Sequence, residues 1–290
     1  MERPAVGTKV ARSDSRPRAD QGPMPPLWRE SLWPLDWLAL RLSPVYYGAG
    51  VPRGDGSAVV LVPGFMGTDL YLSELYLWLR RIGYRPYMSG IGLNAECPDR
   101  LVQRLLLTIE RARTESGKPV RLIGHSLGGL IGRSACLQRP ELVSQLIYLG
   151  SPLRALQAHP AVLAAVAMVR LAVQFGGPEH DGRCLTGRCS CGFGQSLART
   201  LPASVGHTAV YSRRDGVVDW HDSLESDPRL NYEVGGTHVG LVFNHRAYEV
   251  LAQLLARSSA DEAHGGGPAL HRQPRKCHRS DRVCRSDLSC

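Results

Sequence analysis

The chain of 290 residues is long enough for one large α/β domain, and 43% hydrophobic residues with 31 Gly and 20 Pro suit a turn-rich globular protein. A formal net charge of +9 and a pI near 9.4 raise the question of a nucleic-acid or anionic-membrane partner. The excess sits at the two ends, in Arg12, Arg16 and Arg18 and in Arg272, Arg275, Lys276, Arg279, Arg282 and Arg285. With no basic stripe interleaved with aromatics, these read as solvated tails and exclude the usual nucleic-acid modules.

Residues 1–30 are rich in Pro, Arg and Asp without periodicity and read as a disordered leader. No apolar h-region follows Met1, and the apolar stretches around Trp33–Tyr47 and Ala161–Phe175 are interrupted by charges. A soluble, cytoplasmic protein without signal peptide or transmembrane helix is therefore expected. Ala58–Val62 is a fully apolar strand, and Asp69–Ile82 has helical spacing with Gly83 as its C-cap. Arg85–Met88 is a weaker strand, Pro98–Glu115 an amphipathic helix, Val120–Gly124 a buried strand and Leu127–Gln138 a helix. Leu142–Gly150 supplies another strand, and the pattern then halts between Ser151 and Gly206. It resumes with strands at Thr208–Ser212 and Tyr232–Val234 and a closing helix over Asn244–Ala256. Such alternation predicts an α/β fold: a mostly parallel central sheet with helices on both faces. The domain spans residues 31–257, with 151–206 inserted in it and 258–290 a disordered basic tail.

Gly124-His-Ser-Leu-Gly128 matches G-x-S-x-G, with a strand entering it and a helix leaving it. That context defines a nucleophile elbow, a sharp strand-to-helix turn that exposes the Ser126 hydroxyl. Side chains two positions before and after would collide in the turn, which explains Gly124 and Gly128. Val62-Pro-Gly-Phe-Met-Gly67 follows the first core strand, where the second donor of an oxyanion hole belongs. The N–H of Phe65, or alternatively of Met66, is expected to pair with that of Leu127.

A serine hydroxyl needs a base, and neutral imidazole is matched to that task near pH 7. Among ten histidines, the chain order Ser, acid, His removes His125, His159, His180 and His207. His264, His271 and His278 lie in the tail, His221 stands too near the acid candidates, and His245 lies inside the last helix. His238 remains, in the glycine-flanked loop Gly235–Gly240. The carboxylate that orients it is Asp215, directly off a strand and followed by Gly216, or Asp219 four residues on.

Pro63–Gly67, Gly124–Gly128, Asp215-Gly216 and Thr237–Gly240 together resemble bacterial lipases and esterases of the α/β-hydrolase superfamily, over roughly residues 55–256. The resemblance implies hydrolysis of a small-molecule or lipid ester through an acyl-serine intermediate, with no cofactor. Acyltransferases, thioesterases and non-catalytic members share the fold, so the substrate is less defined than the reaction type. One departure is Pro63, where a histidine often precedes the oxyanion glycine. In this fold, the 151–206 insertion stands where a cap or lid occurs, and its Leu-, Ala- and Val-rich part suits a cap over an apolar pocket that touches a membrane surface transiently. Cys184, Cys189 and Cys191 would serve a zinc site with His180 or His207, a disulfide, or neither. They lack two paired C-x₂₋₄-C units, and no metal is assigned.

Overall fold

The computed structural model describes residues 24–153 and 191–264, together with residues 159, 160, 164 and 168. Among the described residues there are six strands, β1 (Ala58–Val62), β2 (Arg85–Met88), β3 (Val120–His125), β4 (Val143–Leu149), β5 (Gly206–Tyr211) and β6 (Asn231–Glu233). They form one sheet in the order β2-β1-β3-β4-β5-β6, and every neighbouring pair is parallel. β1 and β3 are buried at every position, the pattern of strands covered on both faces.

Helices among the described residues include α1 (Trp33–Leu42), α2 (Ser73–Ile82), α3 (Pro98–Ser116), α4 (Leu127–Gln138), α5 (Gly192–Ser196) and α6 (His245–His264). Alternate side chains of each strand point to opposite faces and divide the interior into two cores. Val59, Leu61, Ile123, Ile147 and Val210 pack with Leu40, Trp78, Leu79, Tyr248 and Leu251, from α1, α2 and α6. Val60, Val62, Leu122 and Leu146 pack with Leu105, Ile109, Ile131 and Phe193, from α3, α4 and α5. The chain runs outward from β1 to β2, then crosses back to β3. The order thus reverses between β1 and β3, where open α/β sheets form their ligand crevice at the strands' carboxyl ends. The register pairs Val62 with Gly124, so the Pro63–Gly67 loop and the elbow leave the sheet side by side.

Two boundaries differ from the sequence reading. Leu27–Leu32 forms a 3-10 helix that runs into α1, so residues 27–30 belong to folded structure and not to a leader. Leu40 is fully buried and the Trp33 ring lies 5.2 Å from that of Phe243, which anchors this segment on the domain. α6 runs to His264, seven residues past the expected end of the domain at 257. Helix-forming Ala and Glu continue it until the glycine run that starts at Gly265. Of the 151–206 insertion, α5 packs Phe193 into the second core, and most of the expected cap lies outside the described residues.

Candidate active site

Ser126 caps α4 with φ 52° and ψ −125°, a conformation that an L side chain rarely adopts. Strain of this kind costs about 1–3 kcal/mol and persists only where the surroundings enforce it. Here they do. A Cβ on Gly124 would come within 2.5 Å of Gly129 Cα, and one on Gly128 would run into the carbonyl oxygens of Val62 and Pro63. Ser126 N–H donates to Leu149 O at 2.9 Å, and Gly129 N–H donates to Ser126 O at 3.0 Å. The half-buried Ser126 hydroxyl has no hydrogen-bond partner among the described residues.

The loop after β1 lies against this turn: a Cβ on Gly64 would sit 3.0 Å from Ser126 Cβ. Its shape is set by Asn94, a fully buried residue that the sequence reading missed. Asn94 Nδ2 donates to Pro63 O at 2.8 Å and its N–H to Gly67 O at 2.9 Å, while its carbonyl accepts from Met66 N–H at 2.9 Å. The Met66 amide is therefore engaged. The amides of Phe65 and Leu127 have no acceptor among the described residues.

His238 is buried, and its Nδ1 lies 2.6 Å from Asp215 Oδ2. The other carboxylate oxygen of Asp215 accepts from Val217 N–H at 2.9 Å and Val218 N–H at 2.8 Å, which fixes its orientation. Asp219 is occupied elsewhere, accepting from His221 N–H at 3.0 Å and lying 2.7 Å from His221 Nδ1. Burial acts to lower the His238 pKa, but the charge and hydrogen bond of Asp215, with the charge of Glu30, outweigh it, and the net shift is upward. The fully buried His125 behaves oppositely: desolvation, with the nearby His238, depresses its pKa to about 3. Its Nε2 donates to His238 O at 3.1 Å, and the two rings are 4.8 Å apart. His125 thus packs beside His238 as a neutral ring.

Two more side chains reach the His238 loop without any warning in the sequence. The Tyr71 hydroxyl donates to Val239 O at 3.0 Å, and Glu30 accepts from His238 N–H at 3.1 Å. Beside Tyr71 a groove of about 380 Å³ is lined by Trp33, Trp37, Leu70 and Phe243. Met66, in the loop after β1, and Leu70, in the groove, are 48% and 79% exposed. Among the described residues no group of three or more His, Cys, Asp or Glu is arranged to hold a metal ion. Cys184, Cys189 and His180 lie outside them, while Cys191 caps α5, its Sγ accepting from Gly194 N–H at 3.4 Å. No described helix is long and apolar enough to cross a membrane.

A parallel sheet with a serine elbow at its order reversal and an Asp–His pair beyond is the arrangement of the α/β-hydrolase fold, and solved structures of that fold resemble this one. Within it the likeness is to lipases and esterases. The structure is similar to a Bacillus licheniformis lipase in its mature form, with a TM-score of 0.51 and 18% identity over 71% of this chain and 94% of that one. It is equally similar to one of the metagenome-derived lipolytic enzymes LipS and LipT, with a TM-score of 0.51 and 17% identity over 72% of this chain and 96% of the other. By sequence it is 28% identical over 126 residues to a triacylglycerol lipase of Burkholderia plantarii, covering 40% of this chain and 35% of that protein. It is also 30% identical over 105 residues to a triacylglycerol lipase of Pseudarthrobacter phenanthrenivorans, covering 33% of each. The matches thus span about a third of the length of these curated relatives. No family model matches the chain.

Proposed function

We propose that the protein is a serine hydrolase that cleaves carboxylic esters with an apolar acyl group. Ser126 Oγ attacks the ester carbonyl while His238 Nε2 takes its proton, and the N–H groups of Phe65 and Leu127 receive the oxyanion. His238 then protonates the departing alcohol, leaving an acyl group on Ser126. Water, deprotonated by the same imidazole, releases the acid. Asp215 holds the ring with Nε2 toward the serine and stabilises the imidazolium without taking its proton. Protons and acyl group pass between side chains and water alone, so the reaction needs no cofactor.

The observation that carries the reading is the buried Asp215–His238 pair, 2.6 Å apart, beyond an elbow whose serine hydroxyl is unengaged. The names of the sequence relatives, triacylglycerol lipases, support a lipid or small-molecule ester as substrate. The exposed apolar side chains of Met66, in the loop after β1, and of Leu70, in the groove, suit an acyl chain and a transient contact with a lipid surface.

A series of p-nitrophenyl esters of increasing acyl length, with wild type and Ser126→Ala, tests this. Wild type is expected to hydrolyse the series, and the variant to lose on the order of 10⁶ in kcat. Near-normal turnover by Ser126→Ala overturns the assignment. Adding a competing alcohol reads out transfer against hydrolysis, and free acid is the expected main product.

A further inference from the structure

The Leu27–Leu32 turn brings one carboxylate to both loops that carry the acid and the base. Glu30 Oε1 accepts from Gly216 N–H at 2.9 Å and from His238 N–H at 3.1 Å, and Oε2 accepts from Val239 N–H at 2.9 Å. Gly216 directly follows Asp215, so a single side chain grips the backbone on each side of the Asp215–His238 pair. Amide bonds to an ionised carboxylate are among the stronger hydrogen bonds in proteins. The loops are shaped to admit this segment. A Cβ on Gly216 would stand 3.1 Å from Glu30 Oε1 and from Pro25 O, and one on Gly240 would run into the Asp36 carboxylate of α1. Asp36 also accepts from Asn244 Nδ2 at 3.3 Å, so the N-terminal segment holds the His238 loop at two points.

We infer that Glu30 is a positioning residue for catalysis, a latch that ties the Asp215 loop to the His238 loop through three backbone amides. It touches neither substrate nor the reacting atoms and acts through His238; the inference therefore rests on the roles proposed above for His238 and Asp215. The groups that face His238 are Asp215 after β5, Glu30 from the N-terminal turn and the neutral His125 at the end of β3. Tyr71 reaches the same loop through Val239 O, its phenol kept protonated by burial and by the charges of Glu30 and Asp215. Asp36 lies further along, against Gly240. Glu30 and Asp215 are thus the two anions beside the imidazole, and loss of either favours its neutral form.

The test compares full-length wild type, Glu30→Gln and Glu30→Ala. One readout is kcat and KM for p-nitrophenyl butyrate across the pH range in which imidazole titrates. The other is the NMR titration of the His238 ring, identified by its loss in a His238→Gln spectrum. Glu30→Ala should lower kcat by on the order of 10²-fold, since small displacements of a catalytic group have effects of that size, with KM little changed. The acidic limb of the rate profile and the His238 titration should both move to lower pH. Glu30→Gln, which keeps one carbonyl oxygen for Gly216 and His238, should retain part of kcat yet show the same displacement. A His238 titration unmoved in both variants, with wild-type kcat per folded molecule, overturns the inference. Should Glu30→Ala fail to fold, Glu30→Gln decides by the same criterion. If wild type hydrolyses no ester, the proposed function fails, and the His238 titration in Glu30→Gln still decides on the latch: displaced supports it, unmoved overturns it.

Discussion

Ser126 is held at the end of β3 by the sterics of one turn, whereas the His238 loop is held by polar contacts that arrive from Glu30, Asp215, Tyr71 and His125. The first half of the site is built from missing atoms: glycines at 124 and 128 leave room for the backbones of α4 and β1. The second half is built from added ones, carboxylates and hydroxyls that satisfy loop amides and carbonyls. A steric turn has little freedom to respond to pH or to distant change, while a loop held by charged hydrogen bonds has more. This contrast predicts that variants of the glycines that shape the serine turn act mainly through folding, and those of the side chains that hold the histidine mainly through rate and its pH dependence.

After loss of the nucleophile itself, the largest effect on rate should fall on the histidine side. Asp215→Asn is expected to reduce kcat by on the order of 10⁴, the loss seen when the orienting acid of a serine triad becomes an amide. Asp219→Asn, which disturbs only the His221 contact, should cost less than about tenfold. Steady-state kinetics of the two variants side by side break the comparison if the losses are equal. On the serine side, Gly128→Ala is expected to destabilise by about 3 kcal/mol, because its methyl meets backbone carbonyls that cannot yield. Gly132→Ala lies on the same helix, but its methyl would meet only side-chain ends, Leu146 at 3.1 Å and Leu122 at 3.6 Å, and should cost much less. Urea melts of the pair check this.

Smaller effects concern pH. His238 titrates above the ordinary histidine value, so kcat/KM should fall on acidification with a midpoint above about 6.5. A midpoint below that value would show that Asp215 and Glu30 do not govern the ring. His125 is buried neutral, with its pKa depressed from 6.5 to about 3. Its contribution to stability is complete above 6.5 and is lost progressively as the pH falls from there toward 3. His125→Gln should therefore narrow the difference in urea midpoint between neutral and mildly acidic solution, and an unchanged difference would contradict the account.

Elements buried on both faces were legible because their residue patterns are local. β1 is a continuous apolar run, β3 is apolar apart from Arg121 until it reaches Gly124, and the elbow announces itself through spaced glycines between a strand and a helix. The N-terminal segment was not legible. Trp28, Leu35 and Leu42 remain exposed at 66%, 63% and 76%, so its apolar residues form no buried stripe from which a helix could be read. Its anchor, Glu30, bonds an amide 208 residues away, a relation that no local spacing encodes. Asn94 was invisible for the same reason, since its partners are main-chain groups of the loop after β1. The sequence reading put Phe65 first as the oxyanion donor and kept Met66 as the alternative. The Asn94 carbonyl, by engaging the Met66 amide, supplies a ground for that order.

All of this depends on Ser126 being an activated nucleophile, and covalent labelling addresses that point most directly. The folded protein is treated with a fluorophosphonate, a reagent that phosphonylates activated serines, and the adduct is located by peptide mass spectrometry. The account predicts a single adduct on Ser126, formed far more slowly in Asp215→Asn. An unlabelled protein, or an adduct on any other residue with Ser126 untouched, would contradict it.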